Sequence, residues 1–404
     1  MTQRFVQFGA GNIGRSFIGR LFSAAGWETV FLDVDQRLVD RLNEAGRYRV
    51  VVKENNRDDL VLQVGPVRGV NGRDIVAVTR ELLRADCAAT SVGQAGLPSV
   101  IGAMVPALLA RREASLPPLN VLIAENIRSG ASFFRAELSR RLGPGIDPDG
   151  LVGLIETSIG KMVPIMPREA LEADPLALFT EAYDTLIADE RGWKGKAPDL
   201  PGLKLVDNIG AWVDRKLFIH NLGHAATAYL GWRTDPSKNY IWEALDLPGV
   251  EEGVRSAMLE SAAALTASYP ADLPKAELDE HVADLLSRFR NRALGDTVHR
   301  VGRDLPRKLA RDDRLVGACL LAARQGLPFG AIAAAIRAAL AFRSPDGDGR
   351  LFSADEDFHS RWDGANMRTV LREVSGLDEK DASDARVIRV IEEIERAESR
   401  YRLR

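Results

Sequence analysis

Cysteine is scarce in this chain. Only Cys87 and Cys319 occur among 404 residues, both within apolar runs. That excludes a disulfide framework and leaves no cluster of thiolates for a structural metal. Histidine is also scarce, with five in all. No run of 18 apolar residues exists, so the sequence predicts no membrane-spanning helix. The first strand-like residues come almost at once, which on this reading leaves no room for a signal peptide. Neither sign of charge dominates: 54 Lys and Arg against 57 Asp and Glu give a net charge of −3. Nothing in that balance favours nucleic acid or an anionic membrane as partner. With 46% hydrophobic residues, the chain is expected to be a soluble cytoplasmic enzyme of two ordinary domains.

Glycine, by contrast, is plentiful, and three glycines have an informative order. The run Phe5-Val6-Gln7-Phe8-Gly9-Ala10-Gly11-Asn12-Ile13-Gly14 carries G-x-G-x-x-G between an apolar strand and an apolar helical pattern (Phe17, Ile18, Leu21, Phe22). A dinucleotide-binding turn has this order. Gly9 allows the tight turn, Gly11 lets the backbone approach a pyrophosphate, and Gly14 lets helix and strand pack closely. Ala10, Asn12 and Ile13 complete the candidate cofactor turn. A second strand-like run ends at Asp33, 19 residues past Gly14, near the spacing of an acid that binds adenosine ribose hydroxyls. The motif admits a nicotinamide or a flavin dinucleotide. Asp33 repels a 2′-phosphate and so favours NAD over NADP, while nearby Arg37 leaves NADP open.

Strand candidates at 4–8, 28–32, 48–52, 86–91, 120–124 and 151–156 alternate with helical patterns, the rhythm of a doubly wound α/β sheet. The run Cys87–Gly93 reads as a later strand whose end, Val92 and Gly93, lines the cofactor crevice. Residues 139–150 read as a loop and 189–204 as a linker. From about 207 the pattern turns helical, over 208–231, 250–268, 276–290, 313–324, 328–342 and 384–399. The expected fold is therefore a Rossmann-type doubly wound α/β domain over 1–200, then a mostly α-helical substrate-binding and catalytic domain over 201–404. Ser344–Gly349 reads as a surface turn. The last helix (Val387, Ile388, Val390, Ile391, Ile394) is expected to pack on its own domain, in a monomer or weak homo-oligomer.

The segment Asp214-Arg215-Lys216-Leu217-Phe218-Ile219-His220-Asn221-Leu222-Gly223-His224 is unusually polar for its apolar surroundings. On an α-helix, Lys216, His224 and Asn221 fall at about 0°, 80° and 140°, over about 12 Å of rise. Three polar groups on one partly apolar face need partners, because burial without hydrogen bonds is costly. The chemistry suits oxidation of a secondary alcohol. A desolvated Lys near a nicotinamide cation can take the hydroxyl proton. An Asn amide can stabilise the developing alkoxide, and a His can orient a neighbouring hydroxyl. Each residue alone reads more readily as a packing residue; the grouping on one face brings a functional site level with that reading. Asn126, at the C-terminal end of the strand-like run Asn120–Ala124, stands where substrate meets cofactor or caps a turn. His220 and His224 have the i, i+4 spacing of helical zinc ligands but no Glu between them, so no metal is expected.

Phe8–Arg15 with Phe17-Ile18-Gly19, the pattern Lys216…Asn221…His224 followed by Tyr229-Leu230-Gly231, the strand-end Ala124-Glu125-Asn126, and Val301-Gly302-Arg303…Pro306-Arg307-Lys308-Leu309 resemble the polyol-specific long-chain dehydrogenase/reductase (mannitol dehydrogenase) family. The resemblance spans most of the chain. It implies a metal-independent, NAD-dependent oxidoreductase. Lys216 would be the general base, Asn126 and Asn221 the oxyanion-stabilising pair, and His224 the residue that positions substrate. His220 lies outside the family pattern. The chain's length resembles that of the phosphate-specific members, which implies interconversion of D-mannitol 1-phosphate and D-fructose 6-phosphate. Arg300, Arg303, Arg307 and Lys308 cluster within nine residues and are the candidate phosphate ligands, with Lys161 a weaker one. An unphosphorylated polyol or a hexuronate is the competing substrate, and a non-catalytic NAD-binding regulator the competing class.

Overall fold

The computed structural model describes residues 2–55, 57–164, 166–378 and 385–400, the last three without their side chains. The chain divides into two compact units, residues 1–209 and 210–404. Among the described residues no helix is long and apolar enough to cross a membrane.

Among the described residues the first unit holds eleven strands: β1 (Arg4–Phe8), β2 (Glu28–Asp33), β3 (Tyr48–Val52), β4 (Leu60–Val64), β5 (Val67–Asn71), β6 (Cys87–Thr90), β7 (Leu119–Ile123), β8 (Val152–Ile159), β9 (Leu178–Thr180), β10 (Leu186–Asp189) and β11 (Leu203–Val206). Eight form one sheet in the order β11-β10-β8-β7-β6-β1-β2-β5. All neighbours in it are parallel except β8 and β10. Central strands buried on both faces explain the short, continuous apolar runs. Along β1, Phe5 joins one core, with Phe17, Phe22 and Leu122. Val6 and Phe8 join the other, with Leu97, Ile101 and Phe134. β1 lies between β6 and β2, so the strand order reverses at its C-terminal end, where such sheets bind ligands.

The structure corrects several details. Residues 48–52 do form a strand, but in a separate three-stranded sheet, β4-β3-β9. Strands β4, β5, β9, β10 and β11 were not anticipated. Residues 139–142 are not loop, because they end the helix Gly130–Leu142. The stretch 189–204 is not a linker between domains: it joins β10 to β11, two parallel neighbours in the same sheet.

The second unit is helical. Its core is largely made by Val250–Ser268, packed against Leu222–Thr234, Lys275–Phe289, Val316–Arg324 and Gly330–Leu340. The helix expected over 384–399 runs over Ala385–Arg400, with residue 384 outside the described residues. It buries Val387, Val390, Ile391 and Ile394 and packs on Gly330–Leu340. Short helices at Ile241–Leu245, Val298–Gly302, Leu305–Lys308, Ser353–Trp362 and Met367–Ser375 escaped the periodicity reading. Several span a single turn, too short for a 3.6-residue period to show.

Candidate functional site

In the first unit, backbone geometry dominates. Gly9 has φ of +88°, and a Cβ there would press on the Ser91 carbonyl. A Cβ at Gly14 would collide with the Gly9 carbonyl oxygen. Gly11 differs, since a Cβ would meet nothing within 4 Å. The turn is thus closed around Gly9 and Gly14 and open at Gly11, as a cradle for a pyrophosphate needs to be. The Asp33 carboxylate accepts from the Ala10 amide at 2.7 Å and the Asp35 amide at 2.9 Å. This fixes the acid beside the glycine turn. Arg37 is exposed on the helix that follows. The helix after the turn is π-wound over Gly14–Gly19.

Asn126 is exposed, three residues past the end of β7. Its neighbour Glu125 carries a role the sequence reading did not assign. The Glu125 carboxylate accepts from the Val92 amide at 2.8 Å and the Gly93 amide at 2.9 Å. Those two amides belong to the loop after β6, so the carboxylate ties that loop to the segment after β7. Burial pushes the Glu125 carboxyl up from its ordinary range, opposed by the same amide hydrogen bonds. Lys161 is consumed locally: its ammonium donates to the Glu181 and Tyr183 carbonyls and lies over the Phe17 ring.

In the second unit, side chains dominate. The chain is α-helical over Ile209–Arg215, π-wound over Lys216–Asn221, and α-helical again over Leu222–Thr234. This corrects the angular argument made for a uniform α-helix. A π turn closes i to i+5, which is the spacing from Lys216 to Asn221. Winding the helix wider reduces the divergence between these two residues. Asn221 to His224 then follows at i+3 on the α-helical part. Lys216, Asn221 and His224 are all half-buried. Burial lowers the Lys216 ammonium to a pKa of about 8, helped by the Arg314 and Arg307 guanidiniums and opposed by Asp313. Arg314, itself buried, escaped the sequence reading.

His224 stacks on Phe289, with ring centroids 4.9 Å apart and planes 11° from parallel. Its Nε2 lies 3.2 Å from Asp296 Oδ2. His220 is buried, and burial holds its pKa well below the ordinary histidine range. It contacts Phe289 and His224 as a neutral ring. Among the described residues no group of three or more His, Cys, Asp or Glu could hold a metal ion. Tyr229, fully buried, donates to the Gly302 carbonyl at 2.8 Å and so ties the helix Leu222–Thr234 to Val298–Gly302.

The four candidate phosphate cations have partners of their own. Arg300 is ion-paired with Asp296 and Arg307 with Asp304. Lys308 is buried, donating to the Val301 and Arg303 carbonyls, and burial lowers its pKa to about 6. The exposed Arg303 lies over the Phe352 ring at 5.2 Å.

Two family models match the chain. The Mannitol dehydrogenase Rossmann domain matches residues 3–202 and the Mannitol dehydrogenase C-terminal domain residues 208–396. A mannitol-1-phosphate 5-dehydrogenase of Brevibacillus brevis is 34% identical over 343 residues, covering 84% of this chain and 86% of that protein. The substrate-free D-sorbitol dehydrogenase structure is similar in fold, with a TM-score of 0.78 at 16% identity, covering 98% of this chain and 92% of that one. Mannitol 2-dehydrogenase of Pseudomonas fluorescens, solved with NAD and D-mannitol, gives a TM-score of 0.75 at 17% identity over 98% and 91% of the two chains.

Proposed function

This chain belongs to the mannitol dehydrogenase family, and from that premise we propose that it interconverts D-mannitol 1-phosphate and D-fructose 6-phosphate with NAD. The reading draws on the Brevibacillus relative, whose name states that substrate and that position of oxidation. The residues of the first unit fit a dinucleotide. Gly11 leaves the turn open for the pyrophosphate, and Asp33, anchored on Ala10, suits a ribose diol better than a 2′-phosphate. NAD, when bound, supplies the hydride acceptor at the nicotinamide ring.

The proton belongs to Lys216. As hydride leaves C5 of the polyol phosphate, the neutral Lys216 amine takes the C5 hydroxyl proton. In the reverse direction its ammonium returns that proton to the ketose oxygen. The single observation that carries this role is the half-buried amine, with a pKa lowered to about 8 at the start of a π turn that ends in Asn221. An unperturbed Lys, near 10.4, would be almost wholly protonated at neutral pH. The Asn126 and Asn221 amides are assigned to the developing alkoxide, which they stabilise without adding charge. His224 is assigned to an adjacent hydroxyl. No metal is needed for these steps, so chelator treatment is expected to leave the rate unchanged.

The test is fructose 6-phosphate reduction followed by NADH oxidation, beside a panel of fructose, mannitol and hexuronates. Faster turnover of the phosphate supports the reading. Much faster turnover of an unphosphorylated compound would replace it, and one observation favours that second reading: Arg300, Arg307 and Lys308 are already engaged within the chain.

A further inference from the structure

Arg15 directly follows the last glycine of the G-x-G-x-x-G turn. It is only 7% exposed, an uncommon place for a guanidinium. Its Nε donates to the Ala10 carbonyl at 2.6 Å and its Nη1 to the Leu176 carbonyl at 2.7 Å. The Tyr48 hydroxyl donates to the Arg15 carbonyl at 2.7 Å. Tyr48 opens β3, and Leu176 stands two residues before β9. The three-stranded sheet thus grips Arg15, and Arg15 grips the glycine turn.

The bond to Ala10 fixes a peptide plane. The Ala10–Gly11 peptide is trans, so its N–H points opposite to its C=O. With the carbonyl drawn toward the buried guanidinium, the Gly11 N–H faces away from it. Gly11 itself is exposed, with open space where a Cβ would stand. The preceding peptide is fixed from another side, because the Ala10 amide donates to Asp33.

The charge on Arg15 points the same way. Both of its side-chain bonds go to neutral carbonyls. Burial lowers its pKa, with Asp33 and Asp174 among the groups that oppose this from a distance. Those carboxylates are engaged elsewhere, Asp33 on the Ala10 and Asp35 amides and Asp174 on Arg49. The guanidinium stays protonated all the same. A buried cation bonded to neutral groups is costly, and an anion nearby offsets that cost.

We propose that Arg15 is a positioning residue of the dinucleotide site: through the Ala10 carbonyl it aims the Gly11 N–H at the pyrophosphate, and its buried charge favours an anion at the turn. This rests on the reading of the glycine turn as the dinucleotide cradle. Arg15 acts through the Ala10–Gly11 peptide. It should therefore matter to ligands that carry a pyrophosphate and not to adenosine alone, which Asp33 serves.

Calorimetric titration of ADP and of adenosine into the enzyme tests that distinction. Arg15→Met should weaken ADP binding about 10- to 100-fold, the effect of one charge-assisted hydrogen bond, and leave adenosine nearly unchanged. Unchanged ADP affinity would overturn the proposal. So would an equal loss for both ligands, which marks a role in folding the turn alone. A second readout needs no Arg15 variant. In wild-type protein labelled with ¹⁵N-glycine, the Gly11 amide signal, identified by its absence from Gly11→Ala, should move downfield as ADP binds. A Gly11 signal unmoved by bound ADP would overturn the proposal. Wild-type protein that binds neither ADP nor NADH would defeat the dinucleotide reading and this proposal with it, whereas ADP binding indifferent to Arg15 defeats the proposal alone.

Discussion

The glycine turn of the first unit and the Lys216 helix of the second solve opposite problems with a similar device. Each helix has a π-wound stretch, over Gly14–Gly19 and over Lys216–Asn221, and such turns recur at functional sites. In the first, the groups proposed to face the cofactor are backbone, and Gly9 and Gly14 carry no side chain because a Cβ there would strike neighbouring backbone. In the second, the groups proposed to act are side chains, and the wide turn alters their angular spacing. The difference teaches which substitutions should matter. At the glycine turn a single added methyl decides the outcome. At the Lys216 helix the outcome depends on what surrounds each polar group.

The largest expected effect is at Lys216. Lys216→Ala should lower kcat about 100- to 10,000-fold, the usual contribution of a positioned acid–base group. NADH affinity, followed by fluorescence titration, should stay near wild type. Normal turnover in this variant would remove the second unit's half of the comparison. Gly14→Ala comes next. Its Cβ collides with the Gly9 carbonyl oxygen, so thermal unfolding should show a loss of about 1–3 kcal/mol, typical of overpacking, together with loss of NADH binding. Gly11→Ala sharpens the contrast, because its Cβ faces open space. Its Tm should match or exceed that of wild type, while NADH binding weakens. A Gly11→Ala protein that binds NADH as well as wild type would show that the cradle is not used. The smallest effect is expected at His220. A buried neutral ring held by Phe289 and His224 does no proton chemistry, so His220→Leu should keep kcat near wild type.

The two regions also differ in how well the sequence reveals them. G-x-G-x-x-G with Asp33 is a spacing rule imposed by backbone geometry, and the structure places Asp33 on the Ala10 amide. The Lys216, Asn221 and His224 grouping was visible from helical spacing, although a uniform α-helix gave the wrong angle for Asn221. The three-stranded sheet was not visible as such, since β3 pairs with β9 from far along the chain and local pattern carries no record of that partner. The role of Glu125 was hidden for the same reason, because its partners Val92 and Gly93 lie on another strand's loop. The ion pairs of two phosphate candidates were themselves legible in the sequence. Asp296 and Asp304 stand four and three residues before Arg300 and Arg307, a spacing that pairs charges on a helix.

Central to this account is Lys216 as the base, and the pH dependence of mannitol 1-phosphate oxidation tests it most directly. The neutral amine is the active form in that direction. With its pKa lowered to about 8, kcat/KM should rise tenfold per pH unit below pH 8 and flatten above it, with the reverse reaction falling above pH 8. A profile still climbing steeply to beyond pH 10, or flat from pH 6 to 9, would contradict the assignment.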